Sequence, residues 1–293
     1  MREMRLLGRC LLLWLAVLST GAQALQVLDD RGVAVLFPAP PQRVVSLLPS
    51  VTESVCELGA CERLVAVDNY SNWPAQIARL PHIGGVDDAN IERIIGLKPD
   101  LVLLASSSRA LQRLEALGVK VFALDMKTLE DVHRTLLKLG QVLGVPGAQA
   151  LWGRVQASID AAAHTLGPQA RGTRVYFEVS SGPYAASEIS HIGELMTRMG
   201  LVNIVPGSLG SVPKLNPEFV VRADPQVIMI ADNNARALRD RPGWQRITAI
   251  REGRVCALDA QRSDVVTRPG PRLGEAARAM AQCLRVPLRG GAP

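Results

Sequence analysis

The stretch Asn90-Ile91-Glu92, continuing through Ile94, Ile95 and Leu97 to Pro99, Asp100 and the apolar run Leu101–Leu104, recurs later in the chain. Its second copy is Asn216-Pro217-Glu218, continuing through Val220, Val221 and Ala223 to Pro225, Gln226 and Val227–Ile230, in the same register and without a gap. Each copy predicts a short helix, capped by Asn and carrying Glu in its first turn, that stops before Pro and feeds a buried strand. Self-similarity at a fixed offset marks a repeated architecture. The chain is therefore expected to be α/β, with two parallel-sheet lobes of related design and a ligand cleft between them.

The rest of the sequence fills in both lobes. Around Asp29-Asp30-Arg31-Gly32, residues 26–36 alternate as a small hairpin. Strands at Arg43–Leu48, Leu64–Val67, Leu101–Leu104 and Lys120–Leu124 then alternate with helices at Thr52–Leu58, after Asn90, at Arg109–Leu117 and at Leu129–Leu143. Such alternation implies parallel sheets with right-handed crossovers. In Pro146–Leu166 the residues Ala148, Leu151, Val155, Ile159 and Ala162 share one helical face, and no turn signal intervenes before Gly167-Pro168. It is either a linker helix or an ordinary surface helix of the first lobe; its central position favours the single backbone helix joining the lobes, a connection that resists bending and permits only small lobe motion. The second lobe restarts at Arg174–Val179, followed by a helix at Ile192–Met199, the repeated helix and strand, the segment Trp244–Ile247, the strand Val255–Leu258 and a helix at Leu273–Leu284. The domains expected are thus 25–145, a linker at 146–167, and 168–293.

Residues 1–24 carry the marks of an export signal: Arg2, Arg5 and Arg9, the apolar core Leu11–Leu18, and the small-x-small site Ala22-Gln23-Ala24. The apolar core is too short to span a bilayer of ~30 Å. Cys10 precedes it, so cleavage after Ala24 gives an exported, lipid-free protein beginning at Leu25. Export permits disulfides. A helix ending at Gly59 brings Cys56 and Cys61 together as a disulfide, the alternative being two buried thiols. The pairing of Cys256 and Cys283 stays open.

The formal charge of +6 comes from arginines spread singly, without a basic stripe or interleaved aromatic residues, which speaks against nucleic acid as a partner. The four histidines (His82, His133, His164, His191) lack metal-ligand spacing. No Gly-x-Ser-x-Gly elbow, Walker loop or Gly-x-Gly-x-x-Gly after a strand is present, so catalysis is not expected. Ser106-Ser107-Ser108 is expected to turn and cap the helix that follows. Trp244, after Pro242-Gly243, is expected to be structural.

The segments RVVSLLPSVTE at 43–53, NYSNWP at 69–74, ANIERIIGLKPDLVLL at 89–104, LGVKVFALD at 117–125 and SDVVTRPGPRL at 263–273 resemble the periplasmic substrate-binding proteins of iron-siderophore, haem and vitamin B12 ABC importers, most closely the cobalamin-binding type. The likeness covers essentially all of residues 25–293. It implies a monomer when free that holds cobalamin or a related corrinoid as cargo, without a cofactor of its own, and delivers it to a permease dimer in the inner membrane. Tyr70 matches the tyrosine that contacts the corrin, and Asp264, Val265, Val266, Thr267 and Arg268 match a contact loop opposite it. Trp73 and Tyr184 are further aromatic candidates on cleft loops. Glu92 and Glu218 match the carboxylates that dock each lobe onto permease arginines. The chain departs from the cobalamin pattern at Val86, Ala105, Val212, Val265 and Val266, which stand where aromatic residues are expected. Those departures keep open a corrinoid precursor, haem or a ferric siderophore.

Overall fold

The computed structural model describes residues 24–231 and 235–285; all but the last residue of the expected export signal lies outside them. The chain opens with a hairpin, β1 (Leu25–Leu28) and β2 (Ala34–Phe37), paired antiparallel from Leu25↔Phe37 to Leu28↔Ala34. Its turn covers the edge of the first sheet. Asp30 N–H donates to the Ala123 carbonyl, while the Asp29 and Asp30 carboxylates accept from the N–H groups of Ala123 and Asp125. Edge-strand groups that would otherwise be free to pair with another chain are thereby occupied.

The first lobe comprises β3 (Val44–Ser46), α1 (Pro49–Glu57), β4 (Leu64–Val67), α2 (Ile91–Gly96), β5 (Leu101–Ala105), α3 (Ala110–Ala116), β6 (Val121–Leu124) and α4 (Leu129–Leu143). Its strands lie in the order β4-β3-β5-β6, all parallel. After α5 (Ala148–His164) come β7 (Arg174–Ser180), β8 (Tyr184–Ala185), α6 (His191–Arg198), β9 (Val202–Asn203), α7 (Pro217–Ala223), β10 (Val227–Ile230), α8 (Ala235–Arg239), α9 (Thr248–Arg251), β11 (Val255–Ala257), α10 (Ala260–Thr267) and α11 (Leu273–Arg285). In this second sheet β9, β7, β10 and β11 pair in parallel in the same relative order as the first lobe, with β8 added antiparallel to β7.

The repetition extends to individual hydrogen bonds. Asn90 caps α2 through the Arg93 N–H, and Asn216 caps α7 through the Glu218 N–H. Each repeated helix ends on a left-handed residue directly before its Pro: Lys98 at φ 48° and Asp224 at φ 41°, the only non-glycine residues with positive φ among those described. Asp100 Oδ2 accepts the Arg43 N–H, and Gln226 Oε1 accepts the Arg174 N–H. The guanidinium of Arg43 donates to the carbonyls of Leu97 and Lys98, and that of Arg174 to the carbonyl of Asp224. The Arg satisfies the carbonyls exposed by the helix end, and the residue after Pro fixes the start of the first strand.

Both sheets are covered on both faces, which is why their strands read as continuous apolar runs. On the outer faces, Val45, Val102 and Leu104 pack with Ile94 and Leu114, and Tyr176, Ile228 and Ile230 pack with Val220, Trp244 and Ile250. The inner faces share one cluster that runs from Val44, Leu101 and Phe122 through Leu151, Trp152 and Ile159 of α5 to Phe177, Met229 and Met280. The joining helix is thus embedded in the common core, at ~1.5–3 kcal/mol for each such side chain removed from water. Helix α11 packs along α5 closely enough that a Cβ on Gly274 would collide with the Ser158 side chain. Disulfides join Cys56 to Cys61 and Cys256 to Cys283, the latter tying β11 to α11. Among the described residues no helix is long and apolar enough to cross a membrane.

Candidate functional site

The loops leaving the C-terminal ends of the strands meet across the two lobes, where open α/β sheets bind ligands. On the first lobe, β4 runs into Asp68, whose carboxylate is buried and accepts the Tyr70 N–H at 2.7 Å and the Ser71 hydroxyl. Burial raises the Asp68 carboxyl above its ordinary range, against the opposing pull of those hydrogen bonds. The carboxyl fixes the turn, and the Tyr70 side chain projects from it 68% exposed, with its ring edge against Gly85. On the second lobe, the exposed side chains Tyr184, Ile189, Leu209 and Val212 stand on two adjoining segments joined by Ala185 N–H to Pro213 O and Ser187 N–H to Ser211 O. Ile189 lies over Gly207. This surface borders the first lobe, because the next residue of note, His191, donates its backbone N–H to Lys127 O there.

The segment matched to a contact loop is instead helical, forming α10 and capped by the Asp259 side chain on the Arg262 N–H. That corrects two expected ligand contacts. Val265 and Val266 are 5% and 0% exposed and belong to the shared core, so their side chains cannot reach a cleft ligand. The Thr267 hydroxyl donates to the Ser263 carbonyl within the helix. Asp264 and Arg268 do lie at the lobe boundary, but joined to each other and to the first lobe. Arg268 pairs with Asp264 at 2.8 Å and donates to Glu53 Oε1 (3.0 Å), Asn72 Oδ1 (2.8 Å) and the Tyr70 carbonyl (2.9 Å). Asn72 in turn donates to Asp264. Arg272 grips both oxygens of Glu53 and stacks over Trp73, its guanidinium carbon 4.7 Å from the ring centroid. Trp73 therefore directs a face toward the opposite lobe. Trp244 is fully buried against Tyr176 and Arg241, a structural residue.

Arg268 and Arg272 are paired with Glu53, Asp264 and, at 3.9 Å from Arg272, Glu275, so neither guanidinium is left without a carboxylate. Sequence reasoning missed Glu53, although it ends the RVVSLLPSVTE segment, and the cluster joins that segment to SDVVTRPGPRL. Glu92 and Glu218 sit away from it, exposed in the first turns of α2 and α7, and neither forms an ion pair among the described residues. Those residues also contain no group of three or more His, Cys, Asp or Glu side chains able to hold a metal. Ser108 caps the start of α3 through the Ala110 N–H, as its serine run suggests.

Two α/β lobes on one embedded helix, with a cleft between them, define a class of binding proteins. The chain belongs to the periplasmic binding protein family, whose model matches residues 44–262. It is 30% identical to a vitamin B12-binding protein of Pectobacterium carotovorum, over 80% of this chain and 85% of that one. Among solved structures it is similar to the periplasmic vitamin B12-binding protein of Vibrio cholerae (TM-score 0.67, 25% identity, 86% of this chain and 99% of that one). It is equally similar to a periplasmic haem-binding protein of Roseiflexus (TM-score 0.70, 26% identity, 83% and 97%). Its family consists of substrate-binding transport proteins rather than enzymes.

Proposed function

We propose that this protein, exported to the periplasm with residues 1–24 removed, captures cobalamin or a related corrinoid in its cleft and delivers it to the permease of an ABC importer. The observation that carries the reading is the division of labour in the cleft. Arg268 and Arg272 are neutralised within the Glu53 cluster, while Tyr70 on one lobe and Tyr184, Ile189, Leu209 and Val212 on the other are left exposed. A macrocycle with apolar faces and an amide-rich rim suits such walls. A highly anionic iron chelate gains little from arginines already paired. Haem is the second reading, favoured by the exposed phenol of Tyr70, which can ligate iron. Absorption spectra of the purified protein, taken after incubation with cyanocobalamin, dicyanocobinamide, haemin or a ferric hydroxamate and then desalting, distinguish these cargoes. A retained corrin spectrum is expected, and retention of haemin alone would overturn the corrinoid reading.

Tyr70→Ala removes an aromatic wall and a hydroxyl, which costs ~1–3 kcal/mol, or roughly ten- to hundredfold in affinity. Titration calorimetry with cyanocobalamin measures this, and wild-type affinity in the variant would remove Tyr70 from the site.

The carboxylates Glu92 and Glu218, one per lobe at equivalent positions of the repeat, suit a two-fold permease. Each also stabilises its own helix start by ~0.3–1 kcal/mol. Replacing both with Ala is expected to leave cargo affinity within about twofold, since neither touches the cleft, while abolishing uptake and association with the reconstituted permease. Intact association with lost cargo binding would reverse the assignment.

A further inference from the structure

Glu53 lies on α1, 2% exposed, and both of its oxygens are occupied by arginines of the other lobe. No cleft ligand can touch it. Its two partners nevertheless hold three residues of the loop that carries Tyr70. Arg268 takes the Tyr70 carbonyl and the Asn72 side chain, and Arg272 covers the face of Trp73. The Tyr70 backbone is therefore clamped on both sides. Its N–H is held by Asp68 from its own lobe, and its carbonyl by Arg268 from the opposite one. Without the Glu53 carboxylate, the guanidinium of Arg268 would face that of Arg272 with only Asp264 to neutralise it, and its aim at Tyr70 would be lost.

We infer that Glu53 is a positioning residue for the ligand site: acting through Arg268 and Arg272 across the lobe boundary, it sets where Tyr70 stands in the cleft. The inference rests on the reading of the cleft as the cargo site, and it assigns a role in affinity to a side chain that never meets the cargo. It also explains why a binding protein places a buried ion cluster at the lobe boundary. Such clusters contribute little net stability, but they impose one geometry on the groups that they join.

The test uses 3-fluorotyrosine-labelled protein, because the chain has only three tyrosines. Of these Tyr70 is mostly exposed, Tyr184 half-exposed and Tyr176 fully buried. In the ligand-free Glu53→Gln variant the fluorine resonance of Tyr70, assigned with Tyr70→Phe, is expected to shift or broaden while that of Tyr176 stays in place. The dissociation rate of cyanocobalamin is expected to rise about tenfold, as for loss of a charge-assisted contact, with little change in association. Arg268→Gln, which leaves the Glu53–Arg272 pair intact, should give the same two changes if Glu53→Gln folds poorly. An unmoved Tyr70 resonance overturns the inference, as does a moved resonance with unchanged dissociation. If the wild-type protein binds haemin and no corrinoid, the corrinoid reading fails on its own. The resonance and the haemin dissociation rate then decide the role of Glu53.

Discussion

Glu53→Leu is expected to lower the free energy of unfolding by about 3–5 kcal/mol, the cost of leaving buried charges without their counter-ion. Arg268 and Arg272 are only 10% and 7% exposed, and the substitution leaves them side by side, with Asp264 paired to Arg268 and only the more distant, half-exposed Glu275, at 3.9 Å, beside Arg272. Leu supplies apolar volume but accepts no hydrogen bond, so the penalty is electrostatic rather than a cavity. The double variant Glu53→Leu, Arg272→Met should recover at least half of the loss. With the facing guanidinium of Arg272 also gone, nothing repels Arg268 from Asp264, Asn72 and the Tyr70 carbonyl, and Met fills the space over the face of Trp73. Urea unfolding near neutral pH measures both variants. Strict additivity, with the double variant as unstable as the sum of the two singles, would show that the three side chains do not act as one cluster.

The sequence signals that proved legible are local ones. Asn, first-turn Glu, Pro and a buried run each act within a few residues, and together they located α2 with β5 and α7 with β10, and through them the two-lobed design. The left-handed residues Lys98 and Asp224 and the paired arginines Arg43 and Arg174 belong to the same repeat but carry no separate signal, because only a few per cent of non-glycine residues adopt that conformation and Lys is not among those enriched there. In the sequence, residues 264–268 read as a loop, whereas 260–267 form helix α10. Its Val265-Val266-Thr267 run is β-branched, a weak helix signal, although Asp259 placed three residues before Arg262 marks a helix start. Strands β8 and β9, of two residues each, are too short to leave a periodicity. Glu53 illustrates the harder limit. Glu53 stands on α1 among Ser50, Thr52, Ser54 and Glu57, where a Glu reads as a surface residue, and the arginines that make its burial tolerable arrive only when the second lobe docks on the first. Contacts closed over that sequence distance leave no local trace.

The same boundary should make the protein sensitive to acid through His191. This residue begins α6, is 8% exposed, and bridges the lobes: its N–H donates to Lys127 O of the first lobe, and its ring Nε2 bonds the Val266 carbonyl at 3.0 Å. A carbonyl can only accept, so Nε2 carries the proton and the neutral ring leaves Nδ1 bare. Charging the ring would bury a cation at the N-terminal end of a helix, where the dipole also opposes it. Burial accordingly pushes the imidazole down to about 4, against a smaller upward pull from the Val266 carbonyl. In the unfolded chain it titrates near ~6.5. Between those values the unfolded state holds the extra proton, so stability falls as the pH is lowered from about 6.5 to about 4, and the loss levels off below that. The full difference corresponds to about 3 kcal/mol. Glu194, one turn along α6, works in the opposite sense: burial raises its carboxyl, so the folded state takes up that proton first on acidification. The His191 contribution is therefore isolated by comparison with His191→Gln, whose amide can still donate to Val266 but does not titrate. The two proteins should have similar stability at neutral pH, and their urea midpoints should diverge as the pH falls toward 4, with the wild type the weaker. Superimposable pH profiles would mean that the ring is charged in the folded protein and that water or a carboxylate reaches it at the lobe boundary.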